Sequence, residues 1–295
     1  MAPHSRRTGI VTALLFAVTA LLWGGGALAT TMQVGVTPAS WSVAMRMLLA
    51  GMLLLAWGRF GGTSLRIPRG DRVAVAVQGA LFFALAFIAF YEATHRIPSG
   101  LAALVLSTSS LFAAVFGRLW LGTAFPPGLL LGAGCGVLGI ALIFVPDVEA
   151  LRPGSLGGLG WAFVAALAAG AGTVAGARNQ RAGLPVLAVL GWGAIAGAIV
   201  CVIWAALARE TFVLDSSSRY IASLLYLAVA ATCVTFLCYF ELVRRQGPAR
   251  AAYVLAVVPL VALVLSALFE NLSLGLNVLL GAIAIVTGNV LVLRR

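Results

Sequence analysis

The chain has 295 residues, of which 62% are hydrophobic and only 9% charged, with a mean hydropathy of +1.09 and a net charge of +11. Soluble domains average roughly 25% charged residues, so this composition excludes a protein wetted on all sides. All 19 basic residues are arginines, placed mostly in short gaps between apolar runs; this excludes the continuous basic stripe of a nucleic-acid surface and reads as orientation charge in a membrane.

Ten apolar segments reach the roughly 20 residues that a spanning helix needs. They run over about 9–30, 38–58, 71–93, 97–117, 126–145, 156–177, 184–208, 219–243, 249–268 and 274–293. The first follows Ser5-Arg6-Arg7 and contains Ala27-Leu28-Ala29, a pattern that mimics a cleaved signal. Its apolar stretch exceeds the ~7–15 residues of a signal core and stop-transfer-like segments follow, so the expectation is a retained helix. Trp23 on this segment precedes Gly24-Gly25-Gly26, glycines that would loosen a helix and admit close backbone approach.

The second segment opens at Pro38 and carries Arg46 near its middle, within Val43-Ala44-Met45-Arg46-Met47-Leu48-Leu49. A charge at that depth costs on the order of 2.5–3.5 kcal/mol on insertion scales and is expected to face the protein interior or a wet cavity. Either it binds a carboxylate or other anionic group of a substrate, or it caps helix carbonyls or snorkels to the interface. The third segment has the least marked start, with Arg72 and Gln78 near it. The fourth begins at Pro98 and contains the hydroxyl run Ser107-Thr108-Ser109-Ser110; the fifth begins at Pro126-Pro127. In the ninth, Tyr253 is followed by Pro259, which would free a carbonyl one turn earlier. Ser107, Ser110, Tyr253, Pro259 and Trp23 are candidates for lining a cavity, the alternative for each being helix packing. Trp41, Trp57, Trp120, Trp161 and Trp204 lie near segment ends, as interfacial belt residues do.

Loop charges orient the segments. With the N-terminus inside, fourteen arginines fall in inside gaps and four outside (Arg96, Arg152, Arg209 and Arg219), which places both termini of a multi-pass protein in the cytoplasm.

The two halves repeat. A shift of 149 aligns residues 90–145 with the second half, carrying Glu92 to Glu241, Leu111 to Leu260, Gly132 to Gly281 and Gly139 to Gly288. A shift of about 147 carries Pro38 to Pro185 and Trp57 to Trp204. The expected fold is therefore an all-α integral membrane protein of ten transmembrane helices, built as residues 1–150 and 151–295. Five helices per repeat is odd, so the copies should be inverted, an arrangement used by secondary transporters for alternating access.

The eight acids, Asp71, Glu92, Asp147, Glu149, Glu210, Asp215, Glu241 and Glu270, all sit in loops or at segment ends. A carboxylate at the bilayer centre is the usual device for gripping a cation, so cationic drug efflux is disfavoured against an anionic or zwitterionic metabolite. Glu92 and Glu241 read as interfacial residues. Cys135, Cys201, Cys233 and Cys238 lie in apolar segments without C-x-x-C spacing and read as packing residues, with no disulfide, metal or cofactor expected. The only histidines are His4 and His95, and no acid–base cluster, nucleophile motif or phosphate loop appears. That weighs against the main alternative, a polytopic membrane enzyme acting on a lipid-linked substrate. Gly132-x-x-x-Gly136, Gly172-x-x-x-Gly176 and Gly193-x-x-x-Gly197 read as contacts within one chain sooner than as a dimer seam, and both a monomer and a homodimer stay open. No residue pattern singles out a coupling ion.

Taken together, Leu22-Trp23-Gly24, the run from Arg46 through Leu48-Leu49-Ala50-Gly51, Phe90-Tyr91-x-Ala93 leading to Ala102-Ala103, Pro259, and the glycines Gly132, Gly139, Gly281 and Gly288 resemble the drug/metabolite transporter superfamily, in its branch built of two EamA domains. The resemblance implies a ten-helix inner-membrane carrier, often an exporter of amino acids or related metabolites, with a cavity between the repeats. Two positions depart from it: Ser110 stands where the family often has proline, and Gly122-Thr123 replace the glutamate usual at the start of the fifth helix, whereas Glu270 keeps a similar place in the second copy. The expectation is thus a secondary transporter for a small amino acid-like substrate, with Arg46 facing it between helices 1–4 and 6–9.

Overall fold

The computed structural model describes residues 3–144 and 154–293. The expected boundary between the halves, with Asp147, Glu149 and Arg152, lies outside the described residues, as do Arg294 and Arg295. Every regular element among the described residues is helical. The segments are α1 (Pro3–Thr31), α2 (Ala39–Phe60), α3 (Arg69–Thr94), α4 (Ser99–Leu121) and α5 (Leu129–Phe144) in the first half. In the second they are α6 (Ser155–Arg181), α7 (Val186–Leu207), α8 (Ser218–Gln246), α9 (Tyr253–Phe269, preceded by the turn Pro248–Ala251) and α10 (Leu276–Leu293).

Eight of these are long and apolar enough to cross a membrane; α5 and α9, with 16 and 17 residues, are shorter than the sequence suggested. The helix of α5 starts only after Pro126-Pro127, and α9 is set off from its first turn by a helix break at Ala252, beyond Gly247 with its φ of +80°. At about 1.5 Å per residue each still extends roughly 24–26 Å, close to a hydrocarbon core of ~30 Å. Large apolar side chains face outward along the bundle, among them Leu130, Val137, Trp57 and Ile199, which a protein in water would cover.

Side-chain contacts sort the connections into two ends. Gln33, Ser40, Glu92, Glu210 and Glu270 meet at the end holding the α1–α2, α3–α4, α7–α8 and α9–α10 connections. Leu65, Asp71, Leu121, Arg178 and Arg181 meet at the other.

Helix pairing follows the duplication. α2 packs on α7 and α5 on α10; α1 packs on α8 and α9, as α6 packs on α3 and α4. The glycines show the sense of these contacts. A Cβ built on Gly139 would lie 2.5 Å from the Gly281 carbonyl oxygen, and one on Gly132 2.7 Å from that of Gly288. The shift of 149 carries Gly132 to Gly281 and Gly139 to Gly288, so the repeated glycines meet crosswise and α5 and α10 run antiparallel. The same holds for α2 and α7, where Gly51 meets Gly191 and Gly58 meets Leu187. Backbones this close leave no room for side chains, which is why the Gly-x-x-x-Gly pairs of α5, α6 and α7 all turn onto other helices of the same chain.

Three helices are irregular. α3 contains a π-helical stretch over Gly79–Leu85 and α8 one over Tyr226–Val234. Shifting 79–85 by 149 gives 228–234, so the widened turns occupy equivalent places in the two halves. Widened turns of this kind concentrate at functional sites. α4 breaks at Thr108, where the Ser107 and Thr108 hydroxyls donate to the carbonyls of Leu104 and Val105, at 2.6 and 2.7 Å, in competition with the backbone. α9 instead runs unbroken through Pro259, and α1 unbroken through Gly24-Gly25-Gly26. The α1 glycines serve approach: a Cβ on Gly24 would meet Val261 of α9, and one on Gly25 would lie 2.5 Å from the Tyr226 hydroxyl.

Candidate functional site

Arg46 is the eighth residue of α2, roughly 10 Å from the helix start, so it lies between the Ala39 end and the centre and closer to the centre. It is 4% exposed. Its Nη2 donates to Thr232 Oγ1 of α8 at 3.3 Å, and its guanidinium carbon stands 4.3 Å above the Phe87 ring of α3. The Nε–H has no partner, and none of the ion pairs among the described residues includes Arg46. The ring face offsets part of the desolvation, on the order of 2 kcal/mol, while several kcal/mol per buried ion has to be met. The charge is thus held by neutral groups alone.

Local structure explains the neutral shell. Thr232 sits in the π turn, and its hydroxyl donates to the Leu227 carbonyl five residues back at 2.7 Å, leaving its lone pairs for Arg46. Tyr91, also buried and within electrostatic reach of Arg46, donates to Gln33 Oε1 at 2.6 Å. Gln33 is 2% exposed and its Nε2 is likewise unpartnered. Tyr226 of α8 donates to the Leu22 carbonyl at 3.0 Å, in the space that Gly25 leaves open. A cavity of about 260 Å³ lies outside Gln33 and Tyr91, bounded by Thr37, His95 and the ion pair of Glu92 with Arg96 at 2.6 Å. The site therefore offers two buried, unused N–H groups and a fixed positive charge beneath a polar vestibule. Chemically it is complementary to oxygen acceptors carrying negative charge.

The sequence candidates divide. The Trp23 ring meets Phe236 at 5.5 Å and Tyr239 at 5.4 Å on α8, and Phe236 lies four residues beyond Thr232. Ser107 and Ser110 face α10, where Asn289 donates to Ser107 at 2.8 Å and accepts from Ser110 at 2.9 Å. Pro259 is buried in α9, beside the Val258 and Val261 seam with Gly24, and Tyr253 is 37% exposed at the start of α9. None of these four touches Arg46 in the contacts described. Gln33, Phe87, Tyr91 and Thr232 are partners that the sequence reading did not assign to the site; the one local signal was a polar residue inside an apolar run, as at Thr232. Cys135, Cys201, Cys233 and Cys238 are all free thiols.

The model of the EamA-like transporter family matches twice, over residues 10–145 and 156–294. The "Uncharacterized inner membrane transporter YedA" of Escherichia coli K12 is 30% identical over 281 residues, covering 90% of this chain and 87% of its own length. "Protein PecM" of Dickeya dadantii is 26% identical over 272 residues, 92% and 88% of the two chains. A solved crystal structure, 22% identical, superimposes with a TM-score of 0.65 over 95% of each chain and shares the fold.

Proposed function

The chain belongs to the EamA-like transporter family and is a membrane transporter, and we propose that its cargo is a small, amino acid-like, anionic or zwitterionic metabolite, exported across the inner membrane by alternating access. The observation that carries the substrate class is Arg46: a buried guanidinium with an unused Nε–H and no carboxylate beside it. In a low-dielectric site such a charge is neutralised best by an incoming anion, and a carboxylate matches the guanidinium fork, with Gln33 Nε2 a second unused donor nearby in the fold. Trp23 supplies an apolar wall for the rest of the molecule.

In this reading the ten helices span as two inverted five-helix repeats. The end rich in Arg59, Arg66, Arg69, Arg72, Arg178 and Arg181 faces the cytoplasm, with both termini. The crosswise glycine contacts and the paired π turns support the inversion. Passage to the outside requires parting Tyr91 from Gln33. Passage to the cytoplasm requires parting α3 from α6, which are tied by Asp71 to Arg178 at 2.6 Å and by Asn179 to Gln78 at 2.8 Å.

The test begins with a thermal-shift screen of amino acids, small organic acids and nucleosides on the detergent-purified protein, because a ligand of the folded state raises its apparent stability. Compounds that stabilise are then followed as flux in proteoliposomes, wild type against Arg46→Ala. Stabilisation by carboxylates, lost in the variant along with flux, supports the reading; undiminished flux by Arg46→Ala removes Arg46 from it.

A further inference from the structure

At the arginine-rich end, a groove of about 410 Å³ opens between α3, α7 and the α2–α3 connection. Its walls are Leu65, Ile67, Val75, Ala76, Trp192 and Ala196, and Arg66 and Arg72 stand on it. Val73, Val77 and Ile199, on the same two helices, are exposed large apolar side chains, so the groove is continuous with the lipid-facing surface. Neither arginine forms an ion pair among the described residues: Arg66 has no hydrogen bond, and Arg72 makes only a 3.5 Å contact from Nε to the Ile67 carbonyl. The nearest acid in sequence, Asp71, is taken by Arg178. The indole N–H of Trp192 donates to the Leu65 carbonyl at 2.9 Å, which pins the connection at the groove's edge.

The equivalent connection in the second half is closed over. There Trp41 donates to the Glu210 carbonyl and its ring meets Phe212 at 5.0 Å, Ser40 bonds to the Glu210 carboxylate, and Asp215 bonds to Thr37. One connection is acidic and folded onto its helices; the other is basic and leaves an open, half-apolar groove.

We propose that this groove is a binding site for an anionic phospholipid, its phosphate held between Arg66 and Arg72 and its chains lying along Val73, Val77, Trp192 and Ile199. Two unpaired guanidinium groups at the headgroup level supply the charge that a zwitterionic lipid does not answer, and the apolar wall supplies what a free anion does not use. The site is independent of what the transporter carries.

Full-length protein in phosphatidylcholine vesicles is titrated with brominated phosphatidylglycerol or brominated phosphatidylcholine, and tryptophan quenching is read in wild type and Trp192→Phe. The difference between these two proteins isolates Trp192 from the other indoles. The Trp192 share is expected to quench at about tenfold lower mole fraction of the anionic lipid. Arg66→Gln with Arg72→Gln abolishes that preference, whereas the charge-matched pair Arg118→Gln with Arg250→Gln retains it. Equal quenching by both lipids, or loss of the preference in the charge-matched control, overturns the site. Displacement of the lipid by excess inorganic phosphate overturns its assignment to a phospholipid.

Discussion

The contact of α2 with α8 and the contact of α7 with α3 are the same contact twice, related by the duplication, and they have been filled in opposite ways. The shift of 147 carries Arg46 to Gly193 and Ala50 to Gly197; the shift of 149 carries Phe83 to Thr232. Around Gly193 and Gly197 the helices close until a Cβ on Gly197 would lie 2.7 Å from the Phe83 Cβ and 3.0 Å from the Gly79 carbonyl oxygen. Around Arg46 an arginine stands in place of the glycine and a threonine in place of the phenylalanine, and the Phe87 ring of α3 lies under the charge. A duplicated scaffold supplies two equivalent recesses. Here one is a dry seam and the other carries the only buried guanidinium among the described residues. The backbone is shared, so the difference in chemistry rests on a few side chains.

The strongest way to break that contrast is to remove the charge. Arg46→Ala is expected to lower flux of a carboxylate substrate by about thirtyfold or more, since truncating one partner of a desolvated charge pair costs on the order of 2–5 kcal/mol. Arg46→Lys keeps the charge without the planar fork and should recover only part of the rate. Proteoliposome uptake reads both, and equal rates for the alanine and wild-type proteins would show that the two recesses do not differ in function.

The next effect falls on the dry side. Gly197→Ala places a methyl group against backbone and the Phe83 stem, neither of which can yield cheaply, and is expected to cost about 1–3 kcal/mol. The reciprocal change, Ala50→Gly, removes a fully buried methyl group and should cost about 1 kcal/mol in helix propensity plus the lost burial of that methyl. Thermal midpoints in one detergent compare them. A midpoint for Gly197→Ala equal to that of the wild type would mean that the α7 seam can yield and that its glycines have another purpose.

How much of this was legible beforehand depends on the range of the interaction. Segment order and helix type were written in runs of apolar residues and in prolines such as Pro38 and Pro185, because burial in lipid acts on each helix separately. Arg46 was legible for the same reason: a charge within an apolar run has few explanations. Its partners were not. Thr232 meets Arg46 across 186 residues of sequence, and Tyr91 meets Gln33 across 58. The π turn that aims Thr232 has no local pattern that hydropathy reveals. For Ser107 and Ser110 the sequence leaves cavity lining and helix packing both open; they bond to Asn289, roughly 180 residues away. A hydroxyl in a membrane helix is satisfied wherever a partner stands, and that partner is set by packing.

Thr232→Val sharpens the contrast further, since it makes the polar recess resemble the dry one without changing size. The bond it removes is long, 3.3 Å, and Arg46 keeps Phe87 and its surroundings. A loss of about 1 kcal/mol, or some fivefold in substrate affinity, is expected. A loss as large as that of Arg46→Ala, measured by thermal-shift titration, would mean that Thr232 and not the guanidinium organises the site.

The smallest effect concerns the ion pair of Asp71 with Arg178, which bridges α3 and α6 at the arginine-rich end. Its distance of 2.6 Å looks strong, but the two side chains are 21% and 41% exposed, and such pairs contribute about 0–1 kcal/mol after screening and lost side-chain freedom. Beside it the amides of Asn179 and Gln78 are bonded and buried, so most of the closure at this end survives without the charge. A double-mutant cycle of Asp71→Asn and Arg178→Gln should therefore give a coupling below about 1 kcal/mol, shrinking further as salt is added. A coupling well above that, insensitive to salt, would make the ion pair the lock between conformations. The glycine seam of α3 with α7 would then be a hinge surface that slides, and the difference between the two halves would lie in how they move more than in what they bind.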